Sequence, residues 1–181
     1  MATIYSLQKI STLTDRRVFF DANILIYIFW PSASYHLEEN YSSAFGQLLR
    51  QKNELLVDFL VISEIINRAI RLEYDKYLLA NNISKARFSF KNYRDSDAGH
   101  EALSDIHLIV TTNILAKFTV IGKLFNKDDI QSFLVIDTLD FSDKGILATC
   151  KANACILLTH DKDYKTANID ILTSNLSILR N

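Results

Sequence analysis

Short apolar runs, several of them closed by an acid or a turn, alternate along this chain with longer stretches of helical period. Residues 17–21 read as a strand, Val18-Phe19-Phe20, that stops abruptly at Asp21, and 22–30 continue as an apolar helix ended by Pro31. Helical spacing at Phe45, Leu48 and Leu49 covers 41–51, then 54–57 is a strand and 59–79 a long amphipathic helix. The chain turns polar over 80–99, and helical spacing returns over 101–125. Further on, 133–136 read as a buried strand, 142–153 as a helix, 155–159 as an apolar strand and 169–172 as a last short one. Strands too apolar to face water, alternating with helices, predict an α/β fold of three layers, with a central parallel sheet of about five strands flanked by helices.

Only four glycines and one proline leave little room for a glycine-rich phosphate loop, a turn-rich sandwich or a flexible linker. At 181 residues, 49% of them hydrophobic, the chain is expected to form one domain over 1–181, with a helical elaboration at 75–129. Basic and acidic residues nearly balance at 20 and 21, so a nucleic-acid partner must be met by a local patch. No apolar stretch has the length of a signal peptide or a membrane span, and a cytoplasmic protein without a membrane partner is expected. Cys150 and Cys155, one helical and one opening a strand, suit buried thiols better than a disulfide or a zinc site.

In an open parallel sheet the functional crevice lies outside the carboxyl ends of the strands, which directs attention to acids placed there. Asp21 follows its strand directly and Asp161 comes two residues after 155–159; each could hold a ligand or merely cap a helix. Glu64 lies beside the apolar stripe of Ile62, Ile65, Ile66 and Ala69, where it either meets a cation or pairs with Arg68 four residues on. Asp143 falls in the first turn of the 142–153 helix, serving the helix dipole or projecting into the crevice; Asp140 could assist it, and Asp137 belongs to a loop. Together these carboxylates are hard oxygen donors that suit Mg²⁺ or Mn²⁺, and no Cys/His spacing suits zinc. Bound ions would remove the repulsion among the acids, activate water and stabilise charge developing on a phosphodiester.

Phe20-Asp21-Ala22-Asn23, then Ser63-Glu64, then Asp140-Phe141-Ser142-Asp143, then Leu157-Leu158-Thr159-His160-Asp161-Lys162-Asp163-Tyr164 resemble the PIN-domain family in order as well as in type. The resemblance spans nearly the whole chain. It implies a metal-dependent ribonuclease, of the kind common in toxins of bacterial toxin–antitoxin pairs and in RNA-processing enzymes. Carried over by position, Asp21, Glu64, Asp143 and Asp161 form the acidic quartet, with Asn23, Asp140, Thr159 and Asp163 as supporting polar groups. His160 occupies a variable position of the motif and receives no role. The stretch 75–129 is longer than a compact toxin of the family needs.

Cations for an RNA backbone are concentrated at Lys85, Arg87, Lys91 and Arg94, interleaved with Phe88, Phe90 and Tyr93. This stretch is either a single-strand binding surface or an amphipathic helix with its aromatics packed inward; Arg68 and Arg71 are a second source of charge. The apolar helices could also hold an antitoxin or form a homodimer. Two rival readings stand beside the nuclease: a phosphatase using Asp21 as nucleophile, which would want an acid where Asn23 stands, and an inactive scaffold binding RNA or protein.

Overall fold

The computed structural model describes residues 2–30 and 35–180, so the helix stop expected at Pro31 lies outside the described residues. Six strands, β1 (Ile4–Ser6), β2 (Arg17–Phe20), β3 (Glu54–Val57), β4 (Thr119–Val120), β5 (Ile156–Leu158) and β6 (Ile171–Thr173), form one all-parallel sheet in the order β1-β6-β5-β2-β3-β4. Around it lie α1 (Ala22–Phe29), α2 (Tyr35–Arg50), α3 (Phe59–Ala80), α4 (Phe90–Arg94), α5 (Asp97–Ile109), α6 (Lys127–Phe133), α7 (Phe141–Ala152) and α8 (Leu176–Leu179). The central strands are apolar because both of their faces are covered: Val18, Phe19, Phe20, Leu56, Val57, Leu157 and Leu158 are all without exposed surface.

The sequence expectation of an α/β parallel sheet holds, with six strands rather than about five. The additional strands are short: β1 has three residues and β4 two, too few to show a period. The helix expected to run to residue 125 ends earlier. It passes into a π-turn at Val110–Leu115, where the hydroxyls of Thr111 and Thr112 donate back to the carbonyls of His107 and Leu108. Phe118 then drops into the core, edge-on to Phe20 at 5.0 Å, and β4 pairs with β3.

Residues 133–136, expected as a buried strand, are instead the end of α6 and a loop. Leu134, Val135 and Ile136 face solvent, Ile136 almost completely. What holds this loop is Lys144, a buried lysine of α7 that donates to the carbonyls of Phe133 and Val135 and pairs with Asp137 at 3.1 Å. Asp137 is thus a loop residue as expected. Both cysteines are free, buried thiols, and burial raises the pKa of each. Among the described residues no helix is long and apolar enough to cross a membrane.

Candidate metal centre

Because every strand runs the same way, the residues that leave β2, β3, β5 and β6 emerge at one edge of the sheet. Asp21 leaves β2 and caps α1, Asp58 leaves β3 and caps α3, and Thr159 to Asp161 leave β5. The helices α3 and α7 bring the remaining acids to the same edge. Gly145 of α7 faces α3, where a Cβ would meet Leu60 Cδ1 at 2.9 Å. The result is a polar crevice of about 500 Å³ whose walls include Asp21, Glu64, Asp140, Asp143, Asp161 and Asp163. Asn23, Ser63, Asn67, Arg68, Arg71, Thr138 and Ser142 complete its polar lining.

Asp21 is the most enclosed of the acids that line the crevice, 5% exposed. Its Oδ1 accepts the Ala22 N–H at 2.7 Å, and its Oδ2 accepts the Asn23 amide at 2.8 Å and the Thr159 hydroxyl at 2.6 Å. Burial, reinforced by the nearby charges of Glu64 and Asp143 and opposed by these bonds, pushes its pKa up to about 7. Thr159, fully buried, donates to Asp21 and accepts the Asp161 N–H at 2.9 Å, so one hydroxyl fixes two acids of the crevice. Asp161 in turn accepts the Asp163 N–H at 3.0 Å.

On the opposite wall Asp140 is the N-cap of α7 and Asp143 its third residue, joined in a capping box: Asp140 Oδ1 accepts the Asp143 N–H at 2.8 Å and Asp143 Oδ2 the Asp140 N–H at 3.3 Å. The capping and crevice readings of Asp143 therefore coexist. Its other oxygen accepts the hydroxyl of buried Tyr164 at 2.8 Å, and burial raises its pKa despite that bond. Tyr164 closes the motif read from the sequence, yet its hydroxyl had no assigned task because its acid stands 21 residues away. Glu64 makes the surface pair expected from its spacing, with Arg68 at 3.1 Å, and lines the crevice as well.

The crevice thus brings together Asp21, Glu64, Asp143 and Asp161 with Asn23, Asp140 and Asp163, while Thr159 stands behind them. Arg68 and Arg71 share its rim; Lys85, Arg87, Lys91 and Arg94 do not line it. Lys85 is paired with Asp75 at 2.7 Å and Arg94 with Asp95 at 3.1 Å, and Tyr93 is buried with Phe88 and Phe90 packed against the core. The inward amphipathic packing of this segment is what the structure displays. Its tie to the crevice runs through Phe90, whose ring lies 4.4 Å beneath the Arg71 guanidinium. Asp58, an edge acid that the sequence reading did not single out, does not line the crevice; it is buried and accepts the Val61 N–H at 2.9 Å.

The donor set, carboxylates without sulfur or imidazole, fits a hard divalent cation, which would also relieve the charges of Glu64 and Asp143 that add to burial in raising the pKa of Asp21. Among the described residues no three of these side chains stand grouped to hold an ion with their present partners. Glu64, tied only to an exposed arginine, has freedom to turn inward.

The family model described as PIN domain matches residues 18–169. Among solved structures, FitAcB from Neisseria gonorrhoeae aligns with a TM-score of 0.50 at 12% identity, over 86% of this chain and 96% of its own. PAE2754 from Pyrobaculum aerophilum aligns with a TM-score of 0.48 at 14% identity, over 92% and 95%. VapBC2 from Rickettsia felis, bound to a DNA fragment from its promoter, gives 0.48 at 14%, over 86% and 97%. No curated protein matches the sequence. At these identities the structural likeness speaks for the fold alone.

Proposed function

Because the chain belongs to the PIN-domain family, we propose that it is an Mg²⁺- or Mn²⁺-dependent endoribonuclease acting on single-stranded RNA, its ions held by Asp21, Glu64, Asp143 and Asp161. The observation that carries this reading is the convergence of these four acids, with Asp140 and Asp163, on one polar crevice at the carboxyl edge of the sheet. Bound there, a divalent ion would activate water and stabilise the charge developing on the phosphodiester. The protein's own groups orient the site: Thr159 and Asn23 fix the Asp21 carboxylate, Tyr164 and the capping box fix Asp143, and Arg68 and Arg71 offer charge to the backbone at the rim. Lys85, Arg87, Lys91 and Arg94 are assigned a more distant part of the RNA path, beyond Phe90.

Against a phosphatase, both oxygens of Asp21 are engaged by neighbouring donors, and Asn23, where a second acid would serve, gives its amide to Asp21. A protein partner is part of the proposal, an antitoxin of a toxin–antitoxin pair or a second copy of the chain. It is supported by exposed apolar side chains between residues 124 and 141: Leu124, Leu134, Val135, Ile136 and Phe141. Light scattering of the chain alone, with Ile136→Glu beside it, separates the two, since a monomer in both would favour a distinct partner.

The test of activity is cleavage of a mixed single-stranded RNA with Mn²⁺ and again with a chelator. Internal cuts are expected only with the ion. Equal cutting under chelation would remove the metal from the mechanism, and no cutting in either would overturn the nuclease reading.

A further inference from the structure

A second cavity, of about 350 Å³, adjoins the acidic crevice and shares Asn23, Arg68 and Asp161 with it. Its remaining walls are Tyr27, His160, Lys162 and Asn175. The chemistry of the two differs sharply. Where the first is lined by carboxylates, the second gathers a guanidinium, an ammonium, a phenol and an imidazole around one carboxylate, Asp161, on the shared wall. Lys162 is exposed and forms no ion pair among the described residues. Arg68 commits one nitrogen to Glu64, and its fork has other donors left to give.

His160 is held in a defined orientation. The hydroxyl of Tyr41, fully buried, accepts the Ser174 N–H at 3.2 Å and stands 2.8 Å from His160 Nδ1. Donation of the phenol proton to Nδ1 would leave the ring's own proton on Nε2 and make that nitrogen a donor. The ring plane is set by Tyr27 and Tyr41, both nearly perpendicular to it at 6.1 and 5.7 Å. The backbone beneath it is pinned by the Asn175 amide on the His160 carbonyl at 2.6 Å and by Asn23, which accepts the His160 N–H at 3.4 Å. Four residues, Tyr27, Tyr41, Asn23 and Asn175, therefore cooperate to orient one partly exposed imidazole that no metal-holding role requires.

Two cations with oriented neutral donors are the chemistry of a phosphate group. We propose that this cavity is a phosphate subsite, taking the phosphodiester next to the scissile one, so that Arg68 bridges two successive phosphates of a single strand. The inference rests on the nuclease reading of the acidic crevice. Lys162, His160 and Tyr27 act here as positioning residues: they grip and orient the strand, while the chemistry stays with the acids next door.

The first test needs no turnover. In metal-free buffer, inorganic phosphate titrated into the intact protein should shift the His160 imidazole resonances saturably, which chloride at matched ionic strength should not do. Lys162→Gln, a change at an exposed side chain, should weaken that response about tenfold. The second test is kinetic and locates the source of the phosphate. Replacing the linkage beside the scissile one by a neutral methylphosphonate should raise KM for the wild-type protein and leave kcat unchanged. Lys162→Gln should raise KM alike, flatten the salt dependence by about 0.7 in logarithmic slope for a single strand, and respond less than wild type to the neutral linkage, with Arg68 alone left to sense it.

An absent phosphate response, or a KM untouched by both changes, would overturn the subsite. Sensitivity to a terminal phosphate monoester but not to the internal linkage would overturn its assignment to the flanking diester. If the wild-type protein cleaved no RNA while phosphate still bound through Lys162, the nuclease reading would fall and the anion site would stand.

Discussion

On the sheet side of the crevice Asp21 and Thr159 are buried and both oxygens of the Asp21 carboxylate are bonded, whereas on the helix side Glu64 is 38% exposed and held by a single arginine. Asp143 stands between these extremes, half-buried and bonded to a capping partner and to Tyr164. A wall fixed by the ends of β2 and β5 can define where charge sits before any ligand arrives. A wall carried on helices can adjust to the ligand. The difference teaches that position is fixed in the sheet wall, where burial opposes the ionisation of Asp21, and left adjustable in the helix wall.

The largest effect is expected where either wall loses a charge outright. Asp21→Asn and Asp143→Asn should each reduce Mn²⁺-dependent RNA cleavage to background while the melting temperature holds or rises, because the amide keeps the shape and relieves repulsion among the acids. At Asp143 the substitution also separates capping from ion binding, since asparagine can still accept a backbone N–H. Near-wild-type cleavage by Asp143→Asn would confine that residue to its cap and leave Asp21, Asp161 and Glu64 in the site.

Next in size is the pH dependence that the rigid wall should give the metal-free protein. An acid held at about 7 in the fold, against its ordinary 3.8, keeps its proton in the native state while the unfolded chain has already released it. Stability is then full below about pH 4, falls as pH rises, and levels off above about pH 7, an integrated loss on the order of 4 kcal/mol from Asp21. Asp58 and Asp143, both raised by burial, slope the same way. Urea unfolding in chelator at a series of pH values should show the decline, Asp21→Asn should flatten most of it, and Mn²⁺ should reverse it at neutral pH. A wild-type curve that rises across this range would show that Asp21 is ionised in the fold without penalty.

How legible each wall is in the sequence follows from how locally it is built. Asp21 and Asp161 stand out because each closes an apolar run, and Asp143 because it sits three residues after Asp140 at a helix start. Glu64 shows by its place beside an apolar stripe, together with Arg68 at helical spacing. The supports that reach across the chain leave no such mark: the Tyr164 hydroxyl on Asp143 and the Tyr41 hydroxyl on His160 join residues 21 and 119 apart. Composition misleads at 133–136, where Phe133, Leu134, Val135 and Ile136 have the character of a buried strand. Whether an apolar run is covered depends on what packs over it, and here Lys144 ties the loop down with its side chains facing out. The basic stretch at 84–94 was readable in two ways for the same reason: the direction of its aromatics is a tertiary property.

The supports themselves rank by wall. Thr159→Val removes a donor from buried Asp21 and the acceptor of the Asp161 N–H together, at about 1–3 kcal/mol of stability. Tyr164→Phe removes one bond to a half-buried acid, at roughly 1 kcal/mol, and should lower Mn²⁺ affinity about tenfold by releasing Asp143. Thermal melts and Mn²⁺ titrations of both proteins check the order. Equal losses from the two would mean that the helix wall is as firmly set as the sheet wall.

The smallest effect is expected at the Glu64–Arg68 pair. Its side chains are 38% and 43% exposed and one helical turn apart, a setting in which such a bridge contributes roughly 0.3–0.5 kcal/mol and fades with salt. Arg68→Ala should therefore leave the melting temperature almost unchanged. It should nonetheless raise KM for RNA, because the same guanidinium borders both cavities, and it should not weaken Mn²⁺ binding, because Glu64 is left with no competing cation. Binding of Mn²⁺ measured by calorimetry on the two proteins is the deciding observation. An adjustable wall predicts affinity equal to or above wild type, with Glu64 turning inward at little expense. A clear loss of Mn²⁺ affinity would show instead that Arg68 holds Glu64 in its ion-binding position, and the helix wall would then be preorganised like the sheet wall.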